Sequence, residues 1–259
     1  MAVFLFDEIV FGPVKSRRLG VSLGINLLPV DGKLCSFDCI YCECGFNAQG
    51  RGKSKIPSRD EVKKALEDKL KKMKSEDQTP DVITFAGNGE PTIHPQFAGI
   101  IDDTLELRNQ YFPAAKVSVL SNASMIDKPD VFDALNKVDN NILKLDSVDY
   151  DFICRVDRPQ SGSFNLEKLI ERLKRFNGKL IIQTMFIRGE YAGRVVDNTT
   201  PEQIDAWLKV VREINPESVM IYTIERDTPT KGLHKVGVKE LNRIADNVRN
   251  AGLKVSVSG

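Results

Sequence analysis

The stretch Cys35-Ser-Phe-Asp-Cys39-Ile-Tyr-Cys42 carries three thiols, separated by three and by two residues. Because they lie on one short segment, they can converge on a single iron-sulfur cluster. Such clusters are normally held by four cysteines, so three ligands would leave one iron with an open coordination position. Cys44 follows closely, and four soft donors could instead hold a structural zinc, or the thiols could simply be buried. Ligand spacing favours the cluster, since zinc knuckles usually separate two pairs of ligands by a longer loop.

Length and composition fit one large soluble domain. The chain has 259 residues, 41% of them hydrophobic and 28% charged, with a formal net charge of +1. We expect a single domain over residues 1–259, with its core at about 20–224 and a C-terminal helix and short strand within 225–259. The near-neutral charge gives no overall attraction to nucleic acid. No stretch is typical of a signal peptide or a membrane span, and clustered cysteines suit a reducing compartment, so we expect a cytoplasmic protein.

Apolar strand-like runs alternate with amphipathic helical patterns along most of the chain. Helix starts are indicated by Ser58 with Glu61, by Asn165, and by Thr200 with Pro201. Strict alternation predicts a parallel α/β sheet. An open (β/α)6 partial barrel and a flat doubly wound sheet both fit, and both bind ligands at the carboxyl ends of their strands. The predicted strands are 20–27, 81–85, 116–120, 141–145, 179–187 and 218–223, followed by an apolar alternation at 253–257.

Polar residues follow the second and third predicted strands. The second is followed by Gly87-Asn88-Gly89-Glu90, where glycines allow close backbone approach and Glu90 could accept from an ammonium group. A tight turn with a surface glutamate is the simpler alternative. The third is followed by Ser121 and Asn122, which could bind a ligand's hydroxyl or carboxylate groups or could cap their own turn.

The fourth strand ends at Lys144-Leu-Asp146, which places a basic and an acidic side chain on the same face. They could form a simple ion pair. Inward-facing charges need partners, however, so we expect a ligand to be one of those partners. Gln183 on the fifth strand and Tyr222 on the sixth complete the predicted ring of polar positions.

Taken together, these motifs resemble the radical S-adenosylmethionine (SAM) superfamily. The similarity is to its Fe-S oxidoreductase subgroup, which is related to tRNA-wybutosine synthase and, more distantly, to the molybdopterin-precursor cyclase. The resemblance covers nearly the whole chain, although the reactions of that subgroup are largely undefined. The matching residues are Arg17-Arg18-Leu-Gly20, Gly24-Ile-Asn26, the cysteine segment, Gly89-Glu90-Pro91-Thr92, Lys144-Leu-Asp146, Arg158-Pro159, Gln183-Thr-Met-Phe and Ile221-Tyr222-Thr.

The resemblance implies a fold, two cofactors and an electron donor. The fold would be an open partial (β/α)6 barrel of the radical SAM type, a single parallel sheet with helices outside. A 4Fe-4S cluster on Cys35, Cys39 and Cys42 would bind SAM at its open iron. A flavodoxin or ferredoxin would supply the electron that splits SAM into methionine and a 5′-deoxyadenosyl radical. That radical would take hydrogen from an unidentified small molecule or a residue of a macromolecule, RNA included. Cofactor contacts are expected from Tyr41, Gly87, Asn88, Gly89, Glu90, Ser121, Asn122, Asp146, Gln183 and Tyr222.

Two cysteines remain once three are assigned to the cluster. Wybutosine synthases carry a second cluster on additional N-terminal cysteines, whereas this sequence has none before Cys35, and two thiols cannot supply a second four-cysteine site. Cys44 and Cys154 could act as hydrogen-atom donors or form an adduct, but inert thiols are the commoner case. Lys144 could form a Schiff base, which pairing with Asp146 would oppose. His94 is expected to be structural.

A basic segment follows the cysteines. Arg51, Lys53, Lys55 and Arg59 could cover an anionic substrate or an RNA backbone, while the lysines of the next helix fit a solvated face. Three alternative functions therefore stay open. They are tRNA-base modification, activation of a partner enzyme, and a non-catalytic metal-binding module with Cys44 as fourth ligand.

Overall fold

A computed structural model describes residues 4–16, 19–50 and 52–259. Arg17 and Arg18, which belong to the matching motifs, and Arg51 of the basic segment lie outside the described residues. The chain divides into two compact units. The first unit comprises residues 5–35 and 47–141, and the second comprises residue 4 with residues 36–46 and 142–259.

The first unit is built on parallel strands that alternate with helices. Strand β3, Val-Ile-Thr-Phe, is buried at every position, which is typical of a parallel strand covered on both faces. Ser22 and Thr84 pair through their hydroxyls at 2.9 Å on adjacent strands, so these buried polar groups satisfy each other. The elements of this unit are β1 (Val10–Ser16), β2 (Gly20–Ile25), α1 (Arg59–Ser75), β3 (Val82–Phe85), α2 (Phe97–Tyr111), β4 (Lys116–Ser121) and α3 (Pro129–Leu135).

In this unit β2, β3 and β4 are adjacent and parallel, with Ile25 opposite Phe85 and Phe85 opposite Val119. Strand β1 was not predicted. It pairs antiparallel with β2, and its register shifts between Phe11 and Val14. The predicted strands of this unit are confirmed, with ends that differ by a few residues.

The second unit continues the same pattern and adds a small sheet. Strands β5 and β6, then β6 and β9, then β9 and β11, pair in parallel. The small sheet is antiparallel, with β7 between β10 and β8. The elements are β5 (Asn140–Lys144, which begins in the first unit), α4 (Tyr150–Val156), α5 (Leu166–Lys174), β6 (Ile181–Met185), β7 (Ile187–Tyr191), β8 (Arg194–Asp197), α6 (Pro201–Ile214), β9 (Ser218–Tyr222), β10 (Leu233–Lys235), α7 (Val238–Asn250) and β11 (Val255–Ser258).

The fifth predicted strand, 179–187, was too long. Strand β6 ends at Met185, and Ile187 already belongs to the small sheet. Helix α4 (Tyr150–Val156) was also missed. The predicted helix starts are confirmed: Ser58 and Glu61 form a reciprocal capping box, and Asn165 and Thr200 cap α5 and α6.

Candidate functional site

The turn that follows β3 is hydrogen-bonded to Leu34, the residue before Cys35, the first of the predicted cluster cysteines. The Leu34 amide donates to the Asn88 carbonyl at 2.9 Å, and the Glu90 amide donates to the Leu34 carbonyl at 3.1 Å. Gly89 lies between them at φ +140°, and a Cβ there would stand 1.9 Å from the Leu34 oxygen. Only glycine fits this approach. The predicted Gly-Glu turn therefore fixes the chain directly before Cys35.

The side chain of Asn88 holds this turn in place. It is fully buried, donates to the carbonyls of Phe6 and Pro29 at 2.8 and 2.9 Å, and accepts from the Phe6 amide at 2.9 Å. Asn26 supports it, since its Oδ1 accepts from the Asn88 amide at 3.1 Å and a Cβ on Gly87 would lie 2.3 Å from that oxygen. The side-chain contacts of Asn88 are thus scaffold contacts, and a role of Asn88 toward a cofactor stays a prediction.

Glu90 joins the two polar segments predicted at the ends of β3 and β4. Its carboxylate, only 2% exposed, accepts from the Ser121 hydroxyl at 2.8 Å and from the Asn122 amide at 2.7 Å. The Thr92 amide donates to it at 3.1 Å. Burial raises the pKa of Glu90, while these donors oppose the rise. The structure therefore brings Glu90, Ser121 and Asn122 together, and their contact with a cofactor stays a prediction.

Cys35 is held by two amide side chains in the first unit. Asn122 Nδ2 lies 3.6 Å from the Cys35 sulfur, and Asn47 Nδ2 donates to the Cys35 carbonyl at 3.1 Å. The Asn122 amide group is itself fixed, because its Oδ1 accepts from the Ser124 amide at 3.0 Å. An N–H directed at sulfur suits a thiolate that ligates iron.

In the second unit, the segment 36–46, which carries the other two predicted cluster cysteines, lies along the end of α4. The Ile40 amide donates to the Val156 carbonyl at 2.9 Å, and the Asp38 amide donates to the Asp157 carbonyl at 3.1 Å. Within the segment, the Cys42 amide donates to the Cys39 carbonyl at 3.1 Å, which closes a turn between the two thiols. Cys39 and Cys42 are therefore positioned by α4, an element that the sequence did not predict.

A buried charge network adjoins Cys39. Lys144 Nζ lies 3.0 Å from Asp146, 3.1 Å from Asp157 and 3.6 Å from the Cys39 sulfur. The Tyr41 hydroxyl contacts both carboxylates, at 3.0 Å for Asp157, and the Tyr41 ring lies 4.3 Å from the ammonium. The predicted Lys144–Asp146 pair is thus present, together with the predicted cofactor residue Tyr41.

The ionisation of this network follows from its burial. Burial works against the charge of Lys144, but Asp146 and Asp157 outweigh it and raise the pKa of Lys144 well above its usual value. Burial also raises the pKa of Asp146. Lys144 is therefore held as an ammonium, which is the wrong state for a Schiff-base nucleophile. The role of Lys144 in such chemistry stays a prediction that the structure disfavours.

Asp157 was not among the predicted site residues. Its Oδ1 lies 3.6 Å from the Cys39 sulfur and contacts both Tyr41 and Lys144. It follows the last residue of α4, where a carboxylate meets the negative end of the helix dipole. That unfavourable placement, directly before the Arg158-Pro159 motif, is the signal that could have revealed it once α4 was known.

Gln183 and Tyr222 lie on strands that adjoin Lys144. Gln183 stands opposite Lys144 in the register of β5 and β6, which places both side chains on one face. Tyr222 stands opposite Met185 and packs, half-buried, against the apolar cluster that contains Tyr41. Both residues are therefore near the charge network, and their contact with a cofactor stays a prediction.

The two remaining cysteines differ in exposure. Cys44 is half-buried, two residues after Cys42. Cys154 is exposed on α4 beside Tyr150, on the side of the helix opposite the buried Phe152 and Val156 that pack near Tyr41. The structure does not bring Cys154 to the charge network, and the catalytic roles of both thiols stay predictions.

The basic segment is folded onto acidic groups. The amides of Lys53 and Ser54 donate to Asp31, and Arg59 donates to Asp103 at 2.6 Å. Several lysines of α1 are paired likewise: Lys63 with Asp103 and Glu106, Lys71 with Glu67, and Lys72 with Glu76. These contacts agree with a solvated helix face, and an RNA-binding role stays a prediction.

His94 has the structural role expected of it. The Gln96 amide donates to Nδ1 at 3.1 Å, so Nε2 carries the proton and donates to the Pro57 carbonyl at 2.7 Å. Burial lowers the pKa of His94, which keeps the ring neutral.

A model of the radical SAM superfamily matches residues 30–197. The chain belongs to the radical SAM superfamily. The prediction of an enzyme of this class is confirmed, and membership implies SAM and an iron-sulfur cluster as cofactors. The UPF0026 protein of Helicobacter pylori is 32% identical over 86% of this chain and 68% of that protein. The UPF0026 protein of Methanocaldococcus jannaschii is 30% identical over 91% of this chain and 70% of that protein.

Solved structures confirm the predicted fold class, the open partial (β/α)6 barrel of the radical SAM type. A radical SAM methyltransferase from Sphaerobacter thermophilus gives a TM-score of 0.65 at 14% identity, over 92% of this chain and 65% of that one. Streptococcus suis SuiB bound to SAM gives a TM-score of 0.63 at 18% identity, over 90% of this chain and 51% of that one. TYW1 with a lysine-pyruvate adduct gives a TM-score of 0.62 at 16% identity, over 88% of this chain and 73% of that one. The chain thus spans about two thirds of the first structure and half of the second.

The donor set fits the implied cluster. In the described ranges, no three His, Cys, Asp or Glu side chains are grouped closely enough to hold one metal ion. An iron-sulfur cluster does not need such a group, because its thiolate ligands are shared among several irons. The N–H groups near the sulfurs of Cys35 and Cys39 suit thiolate ligands.

The described part of the chain contains no helix long and apolar enough to cross a membrane.

Proposed function

We propose that this enzyme cleaves SAM reductively at a 4Fe-4S cluster held by Cys35, Cys39 and Cys42. The observation that carries the proposal is the pairing of Leu34 with the Gly89-Glu90 turn. This pairing joins the residue before the first cluster cysteine to the turn expected to hold the amino group of SAM. When bound, the cluster and SAM would supply hydrogen-abstraction chemistry, with one electron coming from an external reductant.

The residues of this chain would hold and orient these groups. In the first unit, Gly87 and Gly89 let the turn pack closely against Asn26 and Leu34. Glu90, Ser121 and Asn122 would offer polar atoms to the methionine end or the ribose. In the second unit, Tyr41, Lys144 and Asp146 form a fixed polar surface beside Cys39, with Gln183 and Tyr222 next to it. Fixed polar groups of this kind orient a ligand at little reorganisation cost.

The donor, substrate and location are further proposals. A flavodoxin- or ferredoxin-type protein would supply the electron. The substrate would be a small molecule or one residue of a macromolecule, with RNA included. A single domain over residues 1–259 and a cytoplasmic location stay predictions. The likeness to TYW1 concerns the fold, so wybutosine-type chemistry is not carried over to this chain.

The test uses the full chain, reconstituted anaerobically with iron and sulfide. We expect about four irons per chain if the cluster is of the 4Fe-4S type, a reduced signal in electron paramagnetic resonance (EPR) that changes on adding SAM, and 5′-deoxyadenosine after reduction by dithionite. Cys39→Ala should lose the cluster, and Cys44→Ala and Cys154→Ala should keep it. An intact cluster that neither responds to SAM nor yields deoxyadenosine would refute the proposal. Loss of metal from Cys44→Ala would instead support the four-thiolate module.

A further inference from the structure

Cys39 has a buried positive charge beside its sulfur. Lys144 Nζ lies 3.6 Å from the sulfur, and the Lys144 side chain is only 12% exposed, so solvent screens this contact weakly. Asp146 and Asp157 hold the ammonium at 3.0 and 3.1 Å. The charge is thus fixed in place and cannot easily turn toward water.

A negative charge stands at the same distance from the same sulfur. Asp157 Oδ1 lies 3.6 Å from Cys39, and the Asp157 side chain is 2% exposed. Lys144 and Asp157 therefore act on Cys39 with opposite signs. An iron-sulfur cluster gains one negative charge on reduction, and nearby charges and hydrogen bonds to its sulfurs alter its reduction potential.

We propose that Lys144 sets the reduction potential of the cluster by stabilising its reduced form through Cys39, and that Asp157 limits this effect. The step concerned is the transfer of one electron from an external reductant to the cluster, with no bond made or broken in the protein. This inference rests on the proposed function, because it requires a cluster on Cys39. Lys144 is here a positioning residue, because it acts on the cluster through the sulfur of Cys39.

A purely structural Lys144 would behave differently. If the ammonium only neutralised Asp146 and Asp157, its removal would lower the stability of the fold and leave the potential unchanged. The structure favours the electrostatic role because the ammonium contacts the sulfur as well as the two carboxylates. A measurement of the reduction potential distinguishes the two roles, whereas a measurement of fold stability alone does not.

The experiment is a redox titration of the reconstituted full chain with dithionite at one pH, followed by EPR. Lys144→Met should shift the midpoint to more negative potential, by an amount on the order of a tenfold change in the reduction equilibrium or more, which is about 59 mV for one electron. Lys144→Arg keeps the charge and should stay near the wild type. Asp157→Asn should shift the midpoint to more positive potential, because Asp146 still holds the ammonium.

Lys235→Met is the matched control. Lys235 is 44% exposed and pairs with Glu225, so its removal should leave the midpoint unchanged. An unshifted midpoint in Lys144→Met overturns the inference. If Lys144→Met takes up no cluster, the midpoint potential of Asp157→Asn tests the inference instead. An unchanged or more negative midpoint in Asp157→Asn then overturns it. A wild-type chain without bound iron and sulfide would refute the proposed function itself, a failure that metal analysis reveals before any titration.

Discussion

The backbone amide of Asn122 donates to the carboxylate of Glu90 at 2.7 Å. Glu90 follows β3 and Asn122 follows β4, so one buried carboxylate ties together the ends of two neighbouring parallel strands. The Ser121 hydroxyl and the Thr92 amide donate to the same carboxylate. Two segments that could each bind a ligand thus share one acceptor, and their geometry depends on it.

Replacing Glu90 by Gln should destabilise the first unit. The side-chain NH2 would face groups that are themselves donors, so at least one buried N–H or O–H would lose its acceptor, at a cost of about 1–3 kcal/mol. Urea unfolding of the cluster-free chain at pH 7 measures this loss. Glu76→Gln, at the exposed end of α1, is the matched control and should have a much smaller effect. Equal unfolding free energies for Glu90→Gln and the wild type would contradict the prediction.

Gly89→Ala should also destabilise the first unit, through strain and a steric clash at residue 89 itself. Residue 89 needs φ +140°, and a Cβ would approach the Leu34 oxygen to 1.9 Å. Strain in this region costs about 1–3 kcal/mol before the clash is counted. Thermal or urea unfolding should therefore show a clear loss of stability, and iron uptake should fall because Leu34 leads into Cys35. Gly162→Ala is the control, since nothing lies within 4 Å of its Cβ. Similar behaviour of the two variants would exclude the steric explanation.

Asp103 should contribute to the dependence of stability on pH. Hydrogen bonding from Arg59, with a further contribution from Lys63, holds the pKa of Asp103 below its usual value. A carboxyl group of this kind stabilises the fold above the unfolded-state pKa of about 4, and the contribution is lost as pH falls through the lowered folded-state pKa. The free-energy difference between wild type and Asp103→Asn should therefore be largest near pH 7 and shrink on acidification. Asp68→Asn, on the exposed face of α1, should show little difference, and a constant difference for Asp103→Asn would contradict the assignment.

Much of the architecture could be predicted because local signals agreed with it. Ser58, Asn165 and Thr200 cap helices as their residue types indicate, and buried strands such as β3 show continuous apolar runs. The missed elements are short or depend on tertiary contacts. Strand β1 is half-exposed and pairs with β2 through an irregular register, so its sequence lacks a clean alternation.

The candidate site was predicted where residue types were distinctive and missed where only distant contacts matter. Glu90, Lys144 and Asp146 stand out at strand ends, and Cys35 stands out by its spacing from Cys39 and Cys42. Asp157 does not, because its role depends on α4 bringing it beside Cys39, a contact between residues 118 positions apart. Asn88 was recognised as part of the motif, but the sequence could not show where its side chain points. That side chain donates to the carbonyls of Phe6 and Pro29.

The hydroxyl of Tyr41 is expected to support the charge network without being needed to bind iron. It contacts Asp157 at 3.0 Å and also Asp146, so Tyr41→Phe leaves two buried carboxylates with one donor fewer, at a cost of about 1–3 kcal/mol. The ring remains to pack against the ammonium of Lys144, and the thiols are unchanged. Urea unfolding should therefore show reduced stability, while iron and sulfide per reconstituted chain should match the wild type. Tyr111→Phe, whose hydroxyl donates to Glu67, is the control and should change stability much less. Loss of iron in Tyr41→Phe would mean that the hydroxyl also positions the cluster thiols, because the adjacent Cys42 and the nearby Cys39 share its loop.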